Sequence, residues 1–205
     1  MTDSDKERAI RLCSRLSGIR EPLEIYERML LKWQARINLV GPSTTGLVWT
    51  RHFADSAQLA DYAPIAGVWV DLGSGAGFPG LVIALLQRAA GAGAMHLIES
   101  DTRKAAFLRE VSRETGAGAI VHNARCEDVL DRLAPTVITS RAMAALPDLW
   151  KYCRSHVENG AVALFLKGRD VEVELTKTPI SSNFRIGIEP SKIDPGGAIL
   201  RIDAI

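Results

Sequence analysis

The chain lacks the features that mark secreted, membrane-spanning and metal-binding proteins. Its three cysteines, in 205 residues, include no Cys-x-x-Cys pair, so they predict neither a disulfide framework nor a zinc site. The longest apolar runs, such as Leu81–Leu86 and Ala161–Leu166, are far shorter than a membrane span. The first ten residues, MTDSDKERAI, lack the apolar core of a signal peptide. We therefore expect a cytoplasmic protein with no membrane segment and no bound metal.

The chain also lacks an excess of charge of either sign. Its 25 lysines and arginines nearly balance 24 aspartates and glutamates, which leaves a formal net charge of +1. A nucleic-acid partner would therefore have to be held by a local basic patch, because the overall charge supplies no attraction. The hydrophobic content of 47% is ordinary for a globular protein and is enough for a sizeable core.

A glycine-rich stretch stands at the centre of the sequence. The apolar, β-branched run 68–70 is typical of a strand buried on both faces, and Asp71 ends this run. Alternating glycines follow: Gly73, Gly75 and Gly77. The apolar segment 81–86 then has the length of a helix core. Strand, glycine turn and helix form the first unit of a doubly wound α/β fold, in which ligands lie beyond the carboxyl ends of the strands.

The rest of the C-terminal part alternates between predicted strands and helices. The predicted strands are 95–99, 119–122, 136–139, 161–166, 184–189 and 198–202, and the predicted helices are 102–115, 126–133, 149–157 and 170–178. This alternation predicts a mostly parallel, Rossmann-like sheet over residues 64–205.

Residues 1–63 are predicted to form a helical extension. Leu12, Leu16 and Ile19 would share one face of a first helix. A second helix would start with Pro22 in its first position. Its apolar stripe has the helical period: Leu23, Tyr26, Leu30, Trp33 and Ile37. This stripe is expected to pack on the main domain.

A polar cluster at 50–56 precedes a predicted short helix at 57–62. One interpretation makes Asp55 or Ser56 a helix cap and His52 a packed or surface histidine. The other makes the cluster a substrate-facing loop that offers Arg51 and His52 to an anionic partner. The residues alone leave both interpretations open.

The glycine loop favours S-adenosylmethionine (SAM) over a dinucleotide. A dinucleotide fingerprint needs a third glycine where this chain has Phe78, and no Gly-Lys-Ser/Thr of a phosphate-binding loop follows. The form G-x-G-x-G after an acid, Asp71, resembles the first motif of class I SAM methyltransferases. Glu99 ends the next predicted strand, where such folds place an acid on the ribose hydroxyls. A carboxylate there can accept from both hydroxyls.

Several short stretches together resemble one family, the bacterial small-subunit ribosomal RNA guanine-N7 methyltransferases called RsmG. The matching pieces are Asn38-Leu39, Arg51-His52, Asp55-Ser56, the stretch 71–80, Glu99, Lys104, Phe107-Leu108, Arg125-Cys126-Glu127, Ser140-Arg141-Ala142 and Lys167-Gly168. They extend in order from about residue 38 to 168. The resemblance implies SAM-dependent methyl transfer to N7 of a guanine in 16S ribosomal RNA, in the decoding-region loop of the small subunit.

The resemblance also implies roles for individual residues. Gly73 and Phe78 would line the SAM site, Cys126 and Glu127 would face the adenine, and Arg141 would lie near the methionine end or the substrate. The family usually has alanine where this chain has Cys126, a small change. The proposed cofactor-binding set is Asp71, Gly73, Gly75, Phe78, Glu99, Cys126, Glu127 and Arg141.

The expected RNA contacts are basic residues at strand ends or in loops. The proposed set is Arg51, His52, Arg141 and Lys167, within which His52 and Arg141 are the preferred pair. Arg103, Lys104 and Arg169 are further candidates. Guanine N7 already carries a free lone pair, so no general base is needed and no catalytic residue is assigned. A small-molecule SAM methyltransferase and a non-catalytic RNA-binding protein remain alternatives, whereas Phe78 disfavours an NAD-dependent oxidoreductase. We expect a monomer.

Overall fold

The fold is built on one seven-stranded sheet. The structure is a computed structural model that describes residues 4–205. The strand order is β3-β2-β1-β4-β5-β7-β6, in which β1 to β5 run parallel and β7 is antiparallel to both its neighbours. The strands are β1 Val68–Leu72, β2 Ala94–Ile98, β3 Ile120–His122, β4 Val137–Arg141, β5 Val162–Lys167, β6 Phe184–Pro190 and β7 Ala198–Ala204. The predicted α/β class with a mostly parallel sheet is confirmed.

Helices cover both faces of the sheet. The α-helices are α1 Asp5–Leu12, α2 Arg20–Gln34, α3 Asp55–Ala57, α4 Gly80–Ala90, α5 Thr102–Thr115, α6 Cys126–Val129, α7 Leu146–Glu158 and α8 Val171–Thr176. One hydrophobic cluster joins the N-terminal helices to α4 and α5, and the other packs α7 against β4, β5 and β7. The parallel strands are therefore buried on both faces, as their continuous apolar runs require.

The carboxyl ends of the central strands meet at one edge of the sheet. Leu72 at the end of β1 pairs in register with Ile98 of β2 on one side and Ser140 of β4 on the other. The strand order reverses between β1 and β4, because β2 follows β1 on one side and β4 lies on the other. Doubly wound folds bind ligands at such a switch point.

The prediction of one helix that carries Leu12, Leu16 and Ile19 is wrong. Helix α1 ends at Leu12, because Cys13 takes an extended conformation, and a 3-10 helix covers Ser14–Ile19. Leu12 is 43% exposed whereas Leu16 is fully buried, so these residues do not share one face. Helix α2 starts two residues before Pro22, and it ends three residues before Ile37.

The polar cluster at 50–56 is helical rather than a loop. A π-helix spans Trp49–Ala54 and continues directly into α3 and a 3-10 helix, Gln58–Asp61. Asp55 lies in αR conformation within this continuous helix, and the Ser56 hydroxyl donates to the carbonyl of His52 one turn earlier. Neither residue is the N-cap of a helix, because α3 follows the π-helix directly and its N-cap position is Ala54. The wider π turn places Arg51 and His52 toward the carboxyl edge of the sheet.

The N-terminal helices support the glycine loop directly. The Tyr26 hydroxyl on α2 donates to the carbonyl of Ala76 within the loop. The Tyr26 ring also stacks on Phe78, with ring centroids 5.2 Å apart, and lies 5.2 Å from the ring of Phe53. Burial of three aromatic side chains in one cluster stabilises this junction and fixes the position of the loop.

We expect Gly77→Ala to destabilise the protein by about 2–4 kcal/mol, through backbone strain and overpacking. Gly77 has φ +91°, and a Cβ there would lie 2.5 Å from both Leu81 Cδ1 and Tyr26 Oη. Gly91→Ala is the matched control, because Gly91 also has a positive φ, +64°, but open space around it. That control should lose only about 1–2 kcal/mol. Urea unfolding of both variants measures the difference, and equal losses would contradict the packing of Gly77.

Candidate functional site

Two adjoining cavities open at the carboxyl edge of the sheet. The first has a volume of about 420 Å³ and lies over β1 and β2, and the second has a volume of about 680 Å³ and lies over β4 and β5. Both sizes fall within the range of small-molecule sites. Four residues line both cavities and form the wall that they share: Leu39, Arg141, Ala142 and Met143.

The glycine loop forms the floor of the first cavity. Gly73 and Gly75 have φ of +63° and +54°, a conformation that glycine adopts without steric cost. A Cβ at Gly73 would lie 2.5 Å from Cγ of Met143, so glycine keeps the loop close to the shared wall. The two positions therefore leave the loop backbone open to a ligand.

Glu99 connects the loop to the end of β2. Its Oε2 accepts from the backbone N–H of Gly75 at 2.8 Å, and its Oε1 accepts from that of Asp101 at 2.8 Å. The side chain is buried at the edge of the first cavity. Each carboxylate oxygen has a second lone pair, so Glu99 can still accept from hydroxyls of a bound ligand.

Cys126 and Glu127 close the far side of the first cavity, at the start of α6. Burial raises the pKa of the Cys126 thiol to about 11, so this side chain is a neutral, weakly polar surface. Glu127 is exposed at the rim. The first cavity thus gathers these predicted cofactor residues: Gly73, Gly75, Phe78, Glu99, Cys126, Glu127 and Arg141.

Asp71 is the exception among the predicted cofactor residues. It lies inside β1 beneath the loop, fully buried, and it does not line the first cavity. Its Oδ1 accepts from the Thr139 hydroxyl at 2.8 Å, while Oδ2 has no hydrogen-bond partner among residues 4–205. The Asp71 side chain therefore links β1 to β4 beneath the loop.

We expect Asp71 to make the protein less stable as the pH rises from about 4 to 6. Burial raises the pKa of the Asp71 carboxyl to about 6, above about 3.9 for an unfolded aspartate. The folded state therefore holds the proton more tightly in this window, and deprotonation weakens folding by about 3 kcal/mol. Urea unfolding of wild type and Asp71→Asn from pH 4 to 7 should show wild type losing that much relative to the variant. A difference in unfolding free energy between the two proteins that does not change with pH would contradict the raised pKa of Asp71.

Phe78 and Arg141 are in contact at the wall of the first cavity. The Arg141 guanidinium carbon lies 4.8 Å above the centroid of the Phe78 ring, which is a cation–π contact. The His52 ring stacks on Phe78 as well, with centroids 4.8 Å apart and planes 15° from parallel. The aromatic ring therefore holds Arg141 in place.

His52 is neutral in this position, which bears on its expected contact with an anion. Burial, together with the positive charges of the nearby Arg141 and Arg51, lowers the pKa of its imidazole to about 3. Its Nε2 lies 2.9 Å from the Thr44 hydroxyl, and its Nδ1 has no hydrogen-bond partner among the described residues. His52 lines the second cavity without contributing a positive charge.

The second cavity contains the other three residues of the proposed RNA-contact set, each near a carboxylate. Arg51 pairs with Asp194 at 2.5 Å, Lys167 with Glu174 at 2.8 Å, and Arg141 approaches Asp55 at 3.7 Å. The cavity is thus balanced in charge rather than basic. Of the further candidates, Lys104 lines the first cavity, whereas Arg103 and Arg169 line neither.

Sequence reasoning did not assign Asp55, Leu39 or Met143 to the site. Asp55 was weighed as a cap, and the structure places it on the floor of the second cavity. Leu39 and Met143 are apolar residues in loops, which carry no chemical signature in a sequence. Their only signals were two of the family matches, since Leu39 belongs to Asn38-Leu39 and Met143 directly follows Ser140-Arg141-Ala142.

Among residues 4–205, no group of three or more histidine, cysteine, aspartate or glutamate side chains is arranged to hold a metal ion. Over the same residues, no helix combines the length and apolarity needed to cross a bilayer.

Comparison with known sequences finds one family. The family model described as "GidB: rRNA small subunit methyltransferase G" matches residues 19–193. The chain is also 42% identical to the ribosomal RNA small subunit methyltransferase G of Methylobacterium nodulans. That alignment covers 207 residues, 100% of this chain and 98% of the relative.

Comparison with solved structures shows the fold. Precorrin-6y C5,15-methyltransferase from Geobacter metallireducens superposes with a TM-score of 0.59 at 11% identity, covering 82% of this chain and 91% of the other. A mutant of MtNAS in complex with S-adenosylmethionine superposes with a TM-score of 0.57 at 17% identity, covering 92% and 74%. With these neighbours, the predicted Rossmann-like fold is confirmed.

Proposed function

The chain belongs to the rRNA small subunit methyltransferase G family, and from that membership we propose that it transfers a methyl group from SAM to N7 of a guanine in 16S ribosomal RNA. The observation that carries the proposal is the pair of adjoining cavities with a shared wall. One cavity fits a cofactor and the other fits an acceptor base, and a methyl group must pass directly between two such ligands.

The residues of the first cavity fit SAM. The open glycine loop lets a nucleoside approach the backbone, and Glu99 has lone pairs left for ribose hydroxyls. Phe78 occupies the place where a pyrophosphate would need a glycine. The neutral Cys126 and the exposed Glu127 are proposed to face the adenine. When bound, SAM supplies an electrophilic methyl group on a sulfonium centre.

The chain's own contribution to methyl transfer is alignment. Guanine N7 presents an unprotonated lone pair, so no side chain has to remove a proton before attack. Arg141 lines both cavities and is held by Phe78, which suits it to orient the base against the cofactor side. Leu39 and Met143 add apolar surface to the same wall and would limit water at the reacting atoms.

The proposed RNA backbone contacts come from cations outside the balanced cavity. Lys104 and Arg125 line the rim of the first cavity, and neither forms an ion pair within the part of the chain that the structure describes. Such residues are available for phosphate oxygens, whereas Arg51 and Lys167 would first have to leave their carboxylates. RNA binding should therefore weaken as the salt concentration rises, with a small slope of log affinity against log salt concentration. We propose that the protein acts as a monomer in the cytoplasm.

The proposal is tested by incubating the protein with labelled SAM and either unmethylated small subunits or naked 16S RNA. Borohydride reduction followed by aniline cleavage then locates any N7-methylguanine. Label in RNA at one guanine is the expected result. Absence of label with both substrates would refute the enzyme assignment, and RNA binding without label would favour a non-catalytic RNA-binding protein. A thermal-shift titration with SAM against NAD checks the cofactor, and only SAM should raise the melting temperature.

A further inference from the structure

One carboxylate in the second cavity has an oxygen left without a donor. Asp55 Oδ1 accepts from the Gln58 amide at 2.8 Å and lies 3.4 Å from the Ser191 hydroxyl. Its Oδ2 accepts no hydrogen bond from residues 4–205, and the nearest cation, Arg141 Nη1, is 3.7 Å away. The other two acids of the cavity, Asp194 and Glu174, each hold a cation at hydrogen-bond distance.

The position of Asp55 suits this oxygen to accept a hydrogen bond from a ligand in the second cavity. Its side chain is 14% exposed and lines the cavity. Its partners Gln58 and Ser191 hold the other carboxylate oxygen, Oδ1, in place. Burial raises the pKa of the Asp55 carboxyl, while Arg141 and Arg51 lower it. A fixed acceptor with little access to water discriminates strongly between ligands that can and cannot donate to it.

The Arg141–Asp55 pair presents a donor and an acceptor side by side. The edge of guanine carries the complementary order, because the O6 acceptor is adjacent to the N1–H donor and the 2-amino group. Arg141 also lines the first cavity, whereas Asp55 lines only the second. A guanine that places O6 at Arg141 and its N1–H and 2-amino donors at Asp55 would turn the opposite N7 side toward the cofactor.

We propose that Asp55 is the residue that selects guanine, with Oδ2 accepting from the N1–H and 2-amino group of the target base. This proposal rests on the proposed function, since it specifies how that acceptor is recognised. Adenine would be rejected because its N1 lone pair would face the carboxylate and its 6-amino group would face Arg141. Both contacts leave buried polar groups unpaired.

The test compares guanosine with inosine, which lacks the 2-amino group, at the one nucleotide that the mapping experiment identifies. The RNA is assembled by ligation so that only this position changes. We expect wild type to methylate the inosine RNA roughly 10- to 100-fold more slowly, the effect of one hydrogen bond to a charged group. Asp55→Asn should be slower on guanosine, and its rates on the two RNAs should differ by less than about threefold.

Asp194→Asn is the matched control, because it removes another carboxylate of the same cavity. Its guanosine-to-inosine ratio should stay at the wild-type value, since Asp194 is occupied by Arg51. Equal wild-type rates on both RNAs would overturn the proposal even if Asp55→Asn failed to fold. An Asp55→Asn ratio equal to that of wild type would also overturn it. Loss of all wild-type transfer to guanosine RNA would instead be a failure of the proposed function.

Discussion

Arg141→Ala should lower the rate of methyl transfer at least about 100-fold, an effect comparable to loss of a key polar group in other active sites. Arg141 is the charged residue common to both cavities, and its guanidinium lies over Phe78 and beside Asp55. Its removal would take away the donor proposed for the base oxygen and would leave Asp55 without its neighbouring cation. Single-turnover assays with saturating SAM and RNA measure the loss at the transfer step.

The fold should survive this substitution. The Arg141 side chain is 19% exposed and its ion pair is long, so we expect a cost of roughly 1–3 kcal/mol in stability. Arg132→Ala controls for the removal of an arginine, because Arg132 is exposed in a 3-10 helix and lines neither cavity. Arg141→Lys keeps the charge but not the planar guanidinium with its several N–H donors, and should recover only part of the rate. Normal turnover by Arg141→Ala would contradict the proposed role of Arg141 in methyl transfer.

Glu99→Gln should weaken SAM binding about 100-fold, measured by isothermal titration calorimetry. The amide replaces one acceptor oxygen by a donor, which would face the N–H of Gly75 or Asp101. A hydrogen bond to a charged group contributes about 1.5–3 kcal/mol, and both a loop contact and a ribose contact would be lost.

Glu174→Gln is the matched control for Glu99→Gln. Glu174 is also a partly buried acid that accepts from a backbone N–H, that of Leu146 at 2.6 Å, but it lies in the second cavity. Its substitution should leave SAM affinity within about twofold of wild type. Equal losses in both variants would mean that the effect comes from general destabilisation rather than from the cofactor site.

Short-range patterns predicted the fold well. The buried runs at 68–70 and 161–166, together with the glycine turn between strand and helix, are local signals that one stretch of sequence carries. The end of α1 was missed because Cys13 breaks a periodic pattern without glycine or proline to mark the break. The π-helix at Trp49–Ala54 was missed because its wider turn has no sequence signature.

The candidate site was predictable only in part, because some of its contacts join residues that are far apart in the sequence. Gly73 and Glu99 follow strands directly, and strand ends converge wherever a parallel sheet forms. The pairing of Arg141 with Asp55 joins residues far apart in sequence, and only the packed structure reveals it. Asp71 has the residue type of a ligand contact, but its depth beneath the loop depends on tertiary packing.

The hydrogen bond from Tyr26 to the glycine loop bears on whether the N-terminal helices can be separated from the rest of the protein. A deletion that removed the N-terminal helices would also take away the ring that stacks on Phe78, and the loop would lose its support from one side. The extension is therefore not an interchangeable module. A chimera that joined these helices to another methyltransferase core would need a matching carbonyl and aromatic ring at the junction, so helices and loop must change together.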